Sequence, residues 1–136
     1  MKGWKETVKR KFRRKDAEDI ISAIEADKYW KASSNGKYIY VLALTRARTK
    51  MFGDYWARCT ALGRVMVNSE VRRFVKRYMV LLVDVEARRA VKVLTWAAFR
   101  RAMKLNIDPE TLSPFSKAIR WTEPLKKKDD SGKVRK

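Results

Sequence analysis

The sequence predicts a small single α+β domain, with a mixed, mainly antiparallel sheet of four or five strands and helices packed against it. Three observations predict it. A chain of 136 residues, 46% hydrophobic and 36% charged, has the length and balance of one globular domain with a core. Short apolar runs rich in β-formers occupy 38–45, 79–86 and 90–95, and turn or charged residues bound them. Apolar residues recur at helical spacing over 16–30, 69–78 and 95–105.

The elements follow in order. Residues 1–15 carry Lys2, Lys5, Lys9, Arg10, Lys11, Arg13, Arg14 and Lys15 against Glu6 alone. Trp4, Val8 and Phe12 would line one face of a helix, and a basic arm that orders on binding is the other reading. The domain proper is expected over 16–124. Asp16 reads as an N-cap, with Glu18 and Asp19 favouring the positive end of a helix that runs to about Trp30. Ala17, Ile20, Ile21 and Ile24 form its apolar stripe, and its acidic face is a candidate contact for the chain's own basic arm. Asn35-Gly36 supplies the positive backbone angles of a tight turn. The strand at 38–45 is apolar on both faces, which places it centrally in its sheet. A basic loop follows, with Arg46, Arg48 and Lys50 on alternate positions. Segments 55–62 and 64–67 read as a hairpin around Gly63, a helix over 54–62 being the alternative.

Ser69 reads as the cap of a helix over 69–78, with Val71, Phe74, Val75 and Tyr78 on its buried side. Arg72, Arg73, Lys76 and Arg77 take the other side. Strands 79–86 and 90–95 form a hairpin, for which a three-residue loop at 87–89 would set Val85 opposite Val91 and Val83 opposite Val93. Thr95 caps a further helix, with Trp96, Phe99 and Met103 inward and Arg100, Arg101 and Lys104 outward. Asp108-Pro109 and Ser113-Pro114 open short helical turns, and residues 125–136 are expected to be a disordered basic tail.

Composition excludes several chemistries. With no His, neither a Ser-His-Asp triad nor His-liganded zinc can form. Cys59 stands alone in an apolar run, so it forms no internal disulfide and reads as a buried small hydrophobe. The five glycines build neither a phosphate loop nor a dinucleotide fingerprint. No run approaches the ~18 apolar residues of a membrane span. The basic start lacks an apolar signal core, so an intracellular or virion location is expected. The absence of Gln and the scarcity of Asn beside abundant Arg, Lys and Glu suggest a thermophile, archaeal or viral in type.

The net charge of +19 points to a polyanionic partner. Candidate phosphate-binding residues are Arg72, Arg73, Lys76 and Arg77; Arg88 and Arg89 at the hairpin tip; Arg100, Arg101 and Lys104; and Arg46, Arg48 and Lys50. An Arg fork grips phosphate bidentately, and each contact releases counterions. The expected partner is nucleic acid, double-stranded DNA first, bound through its backbone without sequence specificity, and a homo-oligomer is compatible with the chain. Trp4, Trp30 and Tyr55 are candidates for base stacking, whereas Trp56, Trp96 and Tyr78 are expected in the core. A structural or packaging protein, and a membrane-surface binder with Trp4, Val8 and Phe12 inserted in anionic lipid, are the other non-enzymatic readings.

One enzymatic reading has a motif behind it. Asp54 in the run FGDY precedes Glu70-Val71-Arg72 by sixteen positions, and the order helix, three strands, helix, strand accompanies them. This resembles the restriction-endonuclease-like core of archaeal Holliday-junction resolvases. The resemblance covers about residues 16–95 and implies Asp54 and Glu70, with Glu18 or Glu25, as carboxylates around Mg²⁺. Arg72 stands where that family has Lys, and the cap at Ser69 places Glu70 on a helix rather than on a strand. The primary expectation is therefore no catalytic residue, no metal and no cofactor.

Overall fold

The computed structural model describes residues 3–44, 49–51, 54–67 and 69–109. Four helices lie among them: α1 (Trp4–Lys11), α2 (Arg14–Glu25), α3 (Ser69–Arg72) and α4 (Trp96–Leu105). The strands are β1 (Tyr29–Lys31), β2 (Tyr38–Leu42), β3 (Thr49–Met51), β4 (Asp54–Cys59), β5 (Gly63–Val67), β6 (Val80–Asp84) and β7 (Arg89–Leu94). They form one sheet in the order β1-β2-β6-β7-β5-β4-β3, in which only the β5–β7 pair is parallel. The α+β class and the mainly antiparallel sheet are as the sequence predicts. The sheet has seven strands rather than four or five, because β1 and β3 are three-residue pieces too short to leave a pattern.

The sheet curls back on itself. On the edge of β2 away from β6, β1 pairs with Ile39, Tyr40 and Val41. Just beyond, Ala43 bridges Cys59 antiparallel, the Leu44 N–H donates to the Arg58 carbonyl at 2.7 Å, and the Thr60 N–H donates to the Leu42 carbonyl at 3.3 Å. Strands β2, β6, β7, β5 and β4 thus enclose a partly open barrel. Its interior takes every second residue, namely Ile39, Val41 and Ala43 from β2 and its extension, Leu81 and Val83 from β6, Val65 and Val67 from β5, and Ala57 and Cys59 from β4. Burying a Val or Leu in this way stabilises by about 1.5–3 kcal/mol.

A second apolar layer lies outside the barrel. Tyr40, Leu42, Val80, Leu82 and Leu94 point away from the interior and pack under Val8 of α1, Ile20 of α2, and Trp96, Phe99 and Ala102 of α4. Being covered on both faces, β2 reads as a continuous apolar run, as its central place requires. Trp30, Trp96 and Tyr40 surround Phe99, with ring centroids 4.7, 5.2 and 5.1 Å away. At the chain's start α1 is formed, with Val8 buried and Trp4 and Phe12 packed against the same layer.

Four local expectations need correction. Helix α2 starts at Arg14, so Asp16 sits in its first turn instead of capping it, and the helix ends at Glu25, short of Trp30. Asp27 enters the left-handed region at φ 53°, and the N–H groups of Asp27 and Lys28 donate to the carbonyls of Ile24 and Ala23. That pattern closes a helix C-terminus and frees Tyr29–Lys31 to extend as β1.

The helix expected over 69–78 lasts one turn. After Arg72 the chain makes i→i+3 bonds from Phe74 to Val71 and from Val75 to Arg72. Tyr78 takes φ 69° and its N–H donates to the Ala43 carbonyl at 2.6 Å. The apolar spacing still marks the inward side: Val71 and Val75 plug the barrel, while Tyr78 joins the outer layer.

The β6–β7 loop has four residues, 85–88, with Asp84 opposite Arg89 and Val83 opposite Ala90. The three-residue loop is not formed because Arg88, at φ 51°, supplies the left-handed residue that no glycine offers there. A bulge between Leu82 and Val83 then shifts the register, so that Leu81 faces Val93 and both point inward. Lastly, Met103 is 41% exposed, and Ala98 and Ala102 take the inward positions of α4. The Thr95 cap is formed, its hydroxyl accepting from the Ala98 N–H at 3.1 Å. The expectations for 110–136, including Ser113-Pro114 and the tail, lie outside the described residues.

Candidate nucleic-acid interface

Among the described residues, helices cover the barrel on the outer side of β2, β6 and β7 and leave β4 and β5 bare. The register decides what that bare face carries. Trp56 lies opposite Met66 and Arg58 opposite Arg64, and their neighbours Ala57, Cys59, Val65 and Val67 fill the interior. Alternation therefore turns Trp56, Arg58, Arg64 and Met66 outward. Across the parallel pair Arg89 stands beside Met66, which adds another exposed guanidinium to the same side.

Local contacts hold this surface in shape. Arg64 lies over the Trp56 ring at 5.3 Å. The Met66 N–H donates to the Arg88 carbonyl at 3.0 Å, and the Arg88 guanidinium donates to the Leu62 carbonyl, which fastens the 85–88 turn to the β4–β5 hairpin. Gly63, at φ 72°, makes the hairpin's left-handed step. Between turn and hairpin lies a recess of about 590 Å³, floored by Trp56 and Met66 and rimmed by Arg64, Glu86 and Arg88. The Trp56 indole N–H is buried without a hydrogen-bond partner. At the far end of β4, Arg72 stacks on Tyr55 at 4.0 Å.

The sequence-derived basic residues divide between two sides of the molecule. Arg72 stacks on Tyr55 at one end of the bare face, and Arg88 and Arg89 border that face along β5. Arg73 and Lys76 lie in the turns that follow α3, and Arg77 lies over the Tyr78 ring on the helical side. Arg100, Arg101 and Lys104 sit on α4, in the helical layer over the opposite side of the barrel. There Arg100 pairs with Asp16 at 2.9 Å and approaches Asp19 at 3.7 Å, so part of that basic face is neutralised internally. Lys5 likewise pairs with Glu25 at 2.7 Å, as the acidic face of α2 suggested, and this contact raises the Lys5 pKa. Arg46 and Arg48 lie outside the described residues, as does the side chain of Lys50.

Trp56 is the main correction at the site. Expected in the core, it is half-buried on the outer face, beside Arg58 and Arg64, which belong to none of the charge runs. The signal was present: Tyr55, Ala57 and Cys59 form one alternating apolar set, which leaves Trp56 and Arg58 on the other side. Tyr55, expected to be free for stacking, packs against the barrel interior beneath Arg72, and Trp30 joins the aromatic cluster around Phe99. Trp96 and Tyr78 are buried as expected.

The acids of the nuclease reading divide between two places. Glu18 pairs with Arg14 and Glu25 with Lys5, both in the helical layer. Asp54 opens β4 and Glu70 belongs to α3, which packs on β4, so their backbones share one end of the β4–β5 pair; their side chains lie outside the described residues. Among the described residues no group of three His, Cys, Asp or Glu side chains is placed to hold a metal ion, and no helix is long and apolar enough to cross a membrane. Cys59 is buried inside the barrel, and burial pushes its thiol up to about 12.

No protein-family model, curated protein or solved structure matches the chain. The likeness to Holliday-junction resolvases therefore rests on its residues alone.

Proposed function

We propose that the chain binds nucleic acid across the bare β4–β5 face, with single strands preferred. One observation carries this reading: an outward Trp56 set among Arg58, Arg64, Arg88 and Arg89 on the only barrel side that no described helix covers. Arginines there take phosphates, and the indole offers a stacking platform, which together are the requirements of single-strand binding. Duplex DNA, the partner that charge alone suggests, presents phosphates but no open base to Trp56.

The fold supports the same face independently. Taken without β1 and β3, the strands β2, β4, β5, β6 and β7 make a five-stranded, partly open Greek-key barrel with a short helix plugging it between the third and fourth. This is the architecture of OB-type barrels, which bind oligonucleotides on the second and third strands and on the loops joining strands one to two and four to five. Those correspond here to β4, β5, residues 44–53 and the 85–88 turn. In the sequence Arg46, Arg48 and Lys50 lie between β2 and β4, so the proposed footprint takes them in together with the bare face.

The test is a titration of one sequence as single strand and as duplex at several salt concentrations. Single-strand affinity is expected to exceed duplex affinity, and log K is expected to fall with log salt at a slope of about −3.5 if five phosphates are held. Equal or tighter duplex binding overturns the single-strand preference, and no binding at low salt ends the reading. A Mg²⁺-dependent nuclease is the alternative that the shared position of Asp54 and Glu70 favours. Strand cleavage that disappears in Asp54→Ala would establish it.

A further inference from the structure

The recess beside Trp56 has a chemistry that general strand binding does not use. Among its described lining residues Glu86 is the one carboxylate, on a face otherwise cationic, and no described cation pairs with it. A carboxylate repels the phosphate backbone, so its place in the footprint calls for another ligand group. The same recess is lined by Arg64 and Arg88, over an apolar floor of Trp56 and Met66.

Resting on the strand-binding reading, we propose that this recess is a base pocket selective for guanine. A carboxylate has two oxygens and no donor. Guanine presents two adjacent donors on one edge, its ring N1–H and its exocyclic amine, and two acceptors, O6 and N7, elsewhere. Adenine and cytosine each offer a single amine beside a ring acceptor that a carboxylate repels. Thymine and uracil offer one N–H flanked by two carbonyl oxygens, which repel it as well. Guanine thus satisfies Glu86 with both of its donors and leaves acceptors for the donors of Arg64 or Arg88. A volume of 590 Å³ admits a purine together with water.

The recess also has the support that specificity needs. The 85–88 turn that carries Glu86 is tied to the hairpin through the Arg88 contacts to Leu62 and Met66, and the Ala87 N–H donates to Asp84 Oδ1 at 3.2 Å. Glu86 is held on a fastened turn rather than on a free loop.

The experiment compares labelled d(TTG)4, d(TTA)4, d(TTC)4 and dT12 by fluorescence anisotropy at one low salt concentration, with the full chain and with Glu86→Gln. The full chain is expected to bind d(TTG)4 at least about fivefold more tightly than the other three strands. Glu86→Gln is expected to abolish that preference while dT12 binding holds or strengthens, since a negative charge has left a phosphate-binding face. Glu86 is exposed, so an unchanged thermal melt will show that the variant is folded. Equal affinity for all four strands, or uniform strengthening in Glu86→Gln with the order unchanged, overturns the guanine assignment and leaves strand binding in place. Failure to bind any strand ends both. Guanosine monophosphate is the last probe: it offers the base without a strand and is expected to compete only in large excess. Competition at equal concentration would make the recess a free-nucleotide site and overturn the strand-borne assignment.

Discussion

The guanidinium of Arg64 lies 5.3 Å from the centre of the Trp56 ring. It occupies one side of an indole that the register of β4 against β5 has turned away from the core. A cation over an aromatic face is worth about 0.5–1 kcal/mol when exposed, and its larger consequence here is to hold the ring in place. If a base stacks on that platform, Trp56→Ala will cost about 1–3 kcal/mol of single-strand affinity, roughly five- to 150-fold. Trp56→Phe is expected to retain much of it, because a smaller π-face remains. Anisotropy titrations beside thermal melts separate loss of binding from loss of fold, and unchanged affinity in Trp56→Ala would falsify the placement of the interface.

The pairing of Arg100 with Asp16 and Asp19 leads to an opposite expectation for α4. This pair is partly exposed, with side chains 45% and 27% accessible for Arg100 and Asp16, so it stabilises by about 0.2–1 kcal/mol after solvent screening. Arg100→Ala is expected to lower the melting temperature slightly and to change strand affinity by less than about twofold, because this residue's charge is already matched and its helix lies on the covered side. Arg58→Ala and Arg64→Ala, on the bare face, are expected to lower affinity and to flatten its salt dependence, each by about 0.7 in slope for a phosphate lost. An Arg100→Ala effect as large as either would move the interface to the helical layer.

These assignments show what was legible in the chain and why. The runs at 38–45 and 79–86 are apolar on both faces, and β2 and β6 are indeed covered by the barrel interior on one side and helices on the other. The Thr95 cap and the Asn35-Gly36 turn were readable because each is a local bond: Thr95 to Ala98, and Asn35 Oδ1 accepting from the Lys37 N–H at 2.9 Å. Closure of the barrel was not readable. It depends on Ala43 meeting Cys59 across the fold, a pairing that no local pattern announces. The one-turn length of α3 has the same origin, since Tyr78 gives its N–H to Ala43 rather than to a helical carbonyl. Charge runs also overstated the interface: they gave equal weight to α4, where acids distant in sequence neutralise Arg100, and passed over Arg58 and Arg64, which stand singly.

Burial in the two apolar layers also sets how the chain responds to alkali. Burial pushes the Cys59 thiol from 9.0 to about 12, and burial, aided by the charge of Asp108, pushes the Tyr40 hydroxyl from 10.0 to about 12. In the unfolded chain both groups lose their protons near their ordinary values, so above pH 9 the folded chain holds more protons than the unfolded one. Stability therefore falls as pH rises. The contribution of Cys59 is intact below pH 9 and declines from there towards 12, and that of Tyr40 begins to decline near pH 10. By pH 10.5 the loss is expected to be about 3 kcal/mol, roughly 2 from Cys59 and 1 from Tyr40, readable as a lower melting temperature than at pH 8. Loss of lysine charge over the same range relieves self-repulsion and acts in the other direction, so the informative quantity is a difference between variants. Cys59→Ala removes the thiol from the barrel at the expense of a small cavity, and its melting temperature is expected to fall less steeply between pH 8 and 10.5 than that of the unaltered chain. Identical slopes in the two proteins would mean that Cys59 titrates alike in the folded and unfolded chains, and hence that the strand pair closing the barrel at Ala43 and Cys59 admits water.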